Sequence, residues 1–400
     1  MAAGRLWAPL SSADYRKLWL GQLVSVIGDK VDQIALGILV YQVTGSMLQM
    51  GVMLAVSTLP AALFGLVAGA FVDRWDRRRT MIIADVLRAG LVLLVPVLAE
   101  ISIGAVYVVA FAVATVSLFF EPAKLSLIPD VVGEEQLMAA NSLDNATMSV
   151  AELAGLAFAG GLVATVGYRV AFFFDAATYV VSAAFVVAIR HRTVLPPLAE
   201  RVTSIWADVR RGLAHIRDVP VLRELLTVYS VASVGVTASI TVMYLLALDR
   251  FRAGAAGLAA LDAAVTVGLL LGSVSVGRTG ADGSGRKFLF GLAAFALVFG
   301  ATAFAPGIVV AMALLLVAGV ANMWFMVPSV TLLQRASRGE LRGRVFAAKA
   351  MITRIAGVIG FLGAGYAAER LGLVPTIGAF ALLVLASALV GLARPALRGA

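Results

Sequence analysis

Five charged side chains stand near the middle of apolar stretches of this chain: Asp29, Lys30 and Asp32 in one, Glu152 in a second and Arg354 in a third. A charge at the centre of a membrane-spanning helix costs about 2.5–3.5 kcal/mol even on the permissive insertion scale, so such residues face one another or a watery path rather than lipid. Asp29 and Asp32 are three apart and share a helix face, whereas Lys30 projects about 100° from Asp29. Two chemistries fit this pattern. In one, Lys30 with Glu152, and Arg354 with an aspartate, are structural ion pairs. In the other, an acid without a basic partner takes up and releases a proton beside a bound solute, because desolvation or a second acid disfavours its charge. Three acids against two bases leave one acid over, which favours the second chemistry. Glu121 and Asp262 are further acids, nearer the ends of their stretches.

The elements that must carry these residues are helices in a bilayer. The chain has 400 residues, 61% of them hydrophobic and only 14% charged, with a mean hydropathy of +0.97. A soluble domain is nearer half apolar and a quarter charged. Twelve apolar segments are predicted, at 16–43, 48–72, 79–99, 103–128, 137–165, 169–189, 222–248, 254–277, 287–305, 308–333, 343–368 and 372–393. They are too long and too uniformly apolar for membrane β-strands. A lipid-exposed backbone must close its own hydrogen bonds, which leaves helices. The first segment is not a cleavable signal, since it is long and carries three charges.

The net charge of +9 belongs to loops rather than to nucleic-acid binding. Of the 32 Lys and Arg residues, 23 fall in the termini and the even-numbered loops or at the segment ends that border them. By the positive-inside rule this places both termini in the cytoplasm and the protein in the cell membrane, as a multi-pass chain. The one long polar break, 190–221, is rich in arginine and holds Pro196 and Pro197. It reads as a cytoplasmic linker, part of it an amphipathic helix with Trp206, Val209, Leu213 and Ile216 on one face. It divides the chain into a bundle at 1–189 and a bundle at 222–400. A short internal repeat agrees with that division. Pro122–Ile128 and Pro328–Gln334 begin 206 positions apart, and Arg16-Lys17-Leu18 and Arg223-Glu224-Leu225 begin 207 apart. Parallel repeats of this kind place a solute site between the two bundles near the bilayer midplane.

Soluble-enzyme chemistry finds little here. There are no cysteines, the two histidines are His191 and His215, and no GxxxxGK[ST], HExxH or GxSxG motif occurs. No metal, cofactor or enzymatic activity is expected, and ATP is not the evident energy source.

The most specific local pattern is Gly69-Ala70-Phe71-Val72-Asp73-Arg74-Trp75-Asp76-Arg77-Arg78-Arg79, between the second and third segments. It resembles the loop 2–3 motif of the major facilitator superfamily, with Asp76 where that motif has a glycine. Leu18–Gln22 with Gly28-Asp29, Pro122–Asp130 with Ala140–Leu143, and Leu332–Arg335 with Leu341–Phe346 resemble its drug- and siderophore-exporter branch, which includes macrolide efflux proteins. The resemblance implies an all-α fold of twelve transmembrane helices in two six-helix pseudo-symmetric bundles around a central cavity. It implies a monomeric secondary transporter that exports an amphiphilic small molecule in exchange for protons. Import, lipid flipping, or a non-transporting sensor or scaffold are the alternatives on such a fold. It further implies that Asp73 faces the start of helix eleven and is linked to Arg77 and Asp130. In that gate Gly69, Asp73, Arg74, Arg77, Arg78 and Asp130 are the loop residues. Asp29, Asp32, Lys30, Glu152, Arg354 and Glu121 are the candidates for proton coupling and the substrate cavity. A loop serving only as a positive anchor would need arginines alone, and would tolerate both Asp73→Asn and Arg78→Gln.

Overall fold

The computed structural model describes residues 7–72, 75–191, 214–280, 282–337 and 339–400. The linker's arginine-rich centre and its expected amphipathic helix, like Asp73 and Arg74, lie outside these residues.

Twelve long helices form among the described residues: α1 (Ala13–Thr44), α2 (Met47–Val72), α3 (Arg77–Leu98), α4 (Ile103–Val132), α5 (Leu137–Val166), α6 (Tyr168–Val187), α7 (Pro220–Leu245), α8 (Gly254–Gly277), α9 (Ser284–Ala301), α10 (Ile308–Ala336), α11 (Gly339–Leu371) and α12 (Leu373–Leu392). Eleven carry a window long and apolar enough to cross a membrane. The exception is α1, whose apolar run is interrupted by Asp29, Lys30 and Asp32. At 32 residues it has ample length to span.

The helix ends follow from local sequence. Asp76 caps the start of α3, its Oδ1 accepting from the Arg79 amide at 2.7 Å. The acid that departs from the family's glycine therefore has a structural use. Ser102 caps α4 in the same way, accepting from the Gly104 amide at 3.2 Å. The joints α5–α6 and α11–α12 are single glycines of matching conformation, Gly167 at φ 83°, ψ 166° and Gly372 at φ 86°, ψ 165°. A side chain there would be strained, so glycine sets both turns. These glycines are 205 positions apart, close to the spacing of the repeat seen in the sequence.

The chain divides into two units. Unit 1 comprises Met1–Thr44, Val56–Glu200 and Gly254–Ala259. In it α1 packs on α6 and α5, and α3 on α4 and α6. Its core at the end near the chain terminus joins Tyr15 and Leu18 of α1 to Met81 of α3, Phe120 and Leu127 of α4, and Leu143 of α5. Unit 2 comprises Gly45–Ala55, Arg201–Ala253 and Ala260–Ala400. There α7 packs on α12 and α11, and α9 on α10 and α12. The pairing in unit 2 thus repeats that in unit 1, helix for helix.

Candidate functional site: buried charges of the first unit

The site begins where α1 meets α6. Gly28 lies so close to α6 that a Cβ would collide with Thr178 Oγ1 and Asp175 Oδ1. This approach brings the next residue, Asp29, to Tyr179, whose hydroxyl donates to Asp29 Oδ1 at 2.6 Å. Lys30 turns the other way. Its stem passes Gly155 of α5, where an added Cβ would stand 3.0 Å from Lys30 Cβ. Its ammonium reaches Glu152 at 3.1 Å. Lys30 and Glu152 therefore form an ion pair, as one of the two chemistries supposed, and among the described residues neither Asp29 nor Asp32 forms an ion pair with a lysine or arginine within 4.0 Å.

Three further charges close the site from behind, and sequence reasoning did not single them out. Asp85 and Arg88 on α3 form an ion pair one turn apart. The Arg88 guanidinium is held between two aromatic faces, 4.6 Å from the Phe120 ring centroid and 4.3 Å from that of Tyr179, a favourable seat for a desolvated cation. Asp175 on α6 accepts from Thr178 Oγ1 at 3.2 Å. Asp85 and Asp175 are both 0% exposed, and Arg88 is 5% exposed. The signal was present: each is a charge inside an apolar segment. Asp85 and Asp175 lie about a third of the way along their segments, whereas Arg88 stands near the middle of its own.

The other candidates occupy separate places. Glu121 meets Lys124 at 3.0 Å, and the same ammonium reaches Asp144 of α5 at 3.3 Å. Arg354 lies on α11 in unit 2, exposed, and takes part in no ion pair among the described residues. Unit 2 also buries a lysine that the sequence reading passed over. Lys349 Nζ donates to Ser329 Oγ at 3.0 Å and lies 4.7 Å from the Tyr229 ring centroid. No carboxylate pairs with it among the described residues.

In the loop motif, Arg77 Nη1 meets Asp130 Oδ2 at 2.5 Å and donates to the Ser126 carbonyl at 2.8 Å. This joins the start of α3 to the end of α4, as the resemblance implies for these two residues. Gly69 lies within α2. Arg78 departs from the simple expectation. Its Nε donates to the Val186 carbonyl at 3.0 Å, and Nη2 donates to that of Val187. A cation here satisfies carbonyls at the C-terminus of α6, so Arg78 is a helix-end ligand rather than a dispensable loop charge. Arg78→Gln is accordingly not the neutral contrast the anchor reading supposed. Arg79, exposed on the next position, is.

Comparison with known proteins agrees with this architecture. The family model for the Major Facilitator Superfamily matches residues 18–361. Macrolide efflux protein A of Streptococcus pyogenes is 25% identical over 371 residues, covering 89% of each chain. The multidrug efflux pump Tap of Mycolicibacterium fortuitum is 28% identical over 387 residues, covering 94% of each. Among solved structures, the nucleoside transporter NupG superposes with a TM-score of 0.78 at 11% identity, covering 95% of this chain and 98% of its own. A bacterial homologue of the iron transporter ferroportin, in an inward-facing state, gives 0.75 at 18%, covering 94% and 98%. At such identities the structures speak for the fold alone, while the family match spans most of the sequence and the relatives are drug-efflux proteins. The chain belongs to the Major Facilitator Superfamily.

Proposed function

We propose that this protein exports an amphiphilic small molecule from the cell in exchange for protons, working as a monomer by alternating access. In this reading it sits in the cytoplasmic membrane with both termini and the 190–221 linker inside. The observation that carries it is the division of labour on α1. Lys30 is engaged by Glu152 at 3.1 Å, while Asp29, on the other side of the helix, accepts from the Tyr179 phenol, and neither Asp29 nor Asp32 has an ion-pair partner among the described residues. Two carboxylates in a poorly solvated place, with no ion-pair partner, favour holding a proton between them. A neutralised Asp29 or Asp32 would release substrate outward, and reionisation at the inner side would reset the site. A ligand shifts a two-state equilibrium only through its different affinity for the two states. The efflux relatives support the direction and the class of cargo.

The test is ethidium uptake into inverted membrane vesicles, with and without an imposed proton gradient. Gradient-dependent accumulation above that of vesicles lacking the protein is expected. Accumulation indifferent to the gradient, or equal in both vesicle types with ethidium and with erythromycin, would sink the reading in favour of uncoupled transport or a non-transporting role.

A further inference from the structure

The proposal above uses the α1 acids and leaves the enclosed charges behind them without a task. Those charges form one connected group. Asp85 pairs with Arg88, Arg88 lies against the Tyr179 ring, and Tyr179 donates to Asp29. One turn before Tyr179 stands Asp175, within electrostatic reach of Asp29, Asp32 and Arg88. The groups facing Asp175 are therefore Asp29 and Asp32 from α1, Arg88 from α3, and Thr178 and Tyr179 from its own helix. Asp85 is within reach of Ser182 and Asp29 as well as Arg88. Glu152 of α5 is engaged by Lys30.

The charges do not balance. Four carboxylates share this interior with one guanidinium, and Asp85 already takes that guanidinium as an ion pair. An enclosed carboxylate without a counter-charge neutralises rather than stay ionised. The unused atoms indicate which acid does so. Asp175 Oδ2 has no hydrogen-bond partner, although the residue is fully enclosed. Asp85 has its arginine, Asp29 has its phenol and partial exposure, and Asp32 is partly exposed. Asp175 has neither an ion-pair partner among the described residues nor solvent. The acids do not converge as a polyvalent cation requires: among the described residues no three acidic, imidazole or thiol groups are placed to hold a metal ion.

We infer that Asp175 is a second proton-binding site, enclosed in the wall of unit 1 behind the α1 acids, and that the Asp85–Arg88 pair positions Tyr179 between that site and Asp29. The inference rests on the proton-coupled reading for its role in transport. Its test needs no transported compound.

The experiment is infrared spectroscopy of the full-length protein in lipid bilayers at neutral pH, following the carbonyl stretch of protonated carboxyl groups. Wild type, Asp175→Asn, Asp29→Asn and Thr178→Val are compared in choline buffer. Wild type is expected to show a component that Asp175→Asn removes, with a loss of one protonated carboxyl per molecule, and that Asp29→Asn retains. Thr178→Val should shift that component without removing it, since it loses only the hydroxyl that bonds Oδ1. An Asp175→Asn spectrum equal to wild type would overturn the inference, as would an unshifted component in Thr178→Val if Asp175→Asn proves unstable. Loss of the component on adding sodium, potassium or calcium would overturn it too, by showing a cation site in place of a proton site. Failure of gradient-driven ethidium transport would undo the antiport reading and leave this band in place. A missing Asp175 band would leave Asp29-coupled transport standing.

Discussion

At Gly28 the absence of a side chain determines where the next residue's carboxylate lies. A methyl group there would strike Thr178 and Asp175, and overpacking of this kind costs about 1–3 kcal/mol. Gly28→Ala is therefore expected to lower the melting temperature and to weaken transport by separating Asp29 from Tyr179. Thr178→Ala in the same chain should recover part of the stability, because it removes the nearest obstacle; no recovery in a thermal-shift assay would count against this packing account. Lys30 and Glu152 make a second residue-scale case. Removing one partner leaves an unpaired charge within a membrane-spanning helix, which is worse than removing both. Lys30→Met with Glu152→Gln should thus be milder than either single change, with a coupling energy of about 0.5–3 kcal/mol in a double-mutant cycle. Simple additivity would mean that the 3.1 Å contact contributes nothing.

At the scale of elements, the loop between α2 and α3 is a set of helix-end contacts. Asp76→Ala removes the cap of α3 and should cost about 1 kcal/mol. Arg78→Gln frees the carbonyls that end α6 and should destabilise unit 1, whereas Arg79→Gln should be close to neutral. Equal melting temperatures for the two arginine variants would return Arg78 to the role of a simple anchor. Asp73→Asn is expected to slow turnover while sparing expression, as its place in the family motif implies.

The contrast between these elements explains what was legible beforehand. The spans were readable because long apolar runs leave a lipid-facing backbone no alternative to helix. Asp29, Lys30 and Asp32 were readable because charge at the middle of a span is costly, and their partition between two helix faces followed from a 100° step. Asp85 and Asp175 escaped notice because burial against neighbouring helices, rather than depth along their own, makes them costly, whereas Arg88, near the middle of α3, carried the same depth signal as the α1 charges. The role of Asp76 was hidden because a cap depends on where the helix starts, and Arg78 because its acceptors lie 108 and 109 residues away. Lys349 sits well inside α11 but shows its lack of a carboxylate only once α7 and α10 surround it.

For the whole molecule, the absence of native cysteine allows topology to be read with single introduced thiols. Arg201→Cys, in the linker, should escape an impermeant reagent in intact cells and react after permeabilisation; labelling in intact cells would invert the proposed orientation. The account as a whole turns on whether the α1 carboxylates couple proton flow to solute movement. The most direct measurement is ethidium flux in proteoliposomes with an imposed pH gradient and then with none, for wild type, Asp29→Asn and Asp32→Asn. The account predicts that Asp29→Asn abolishes gradient-driven accumulation while keeping downhill exchange, because binding and the conformational cycle survive without the titrating group, and that Asp32→Asn shifts the affinity or the pH optimum. Full gradient-driven accumulation in both variants would contradict it, and would leave these acids as structural charges only.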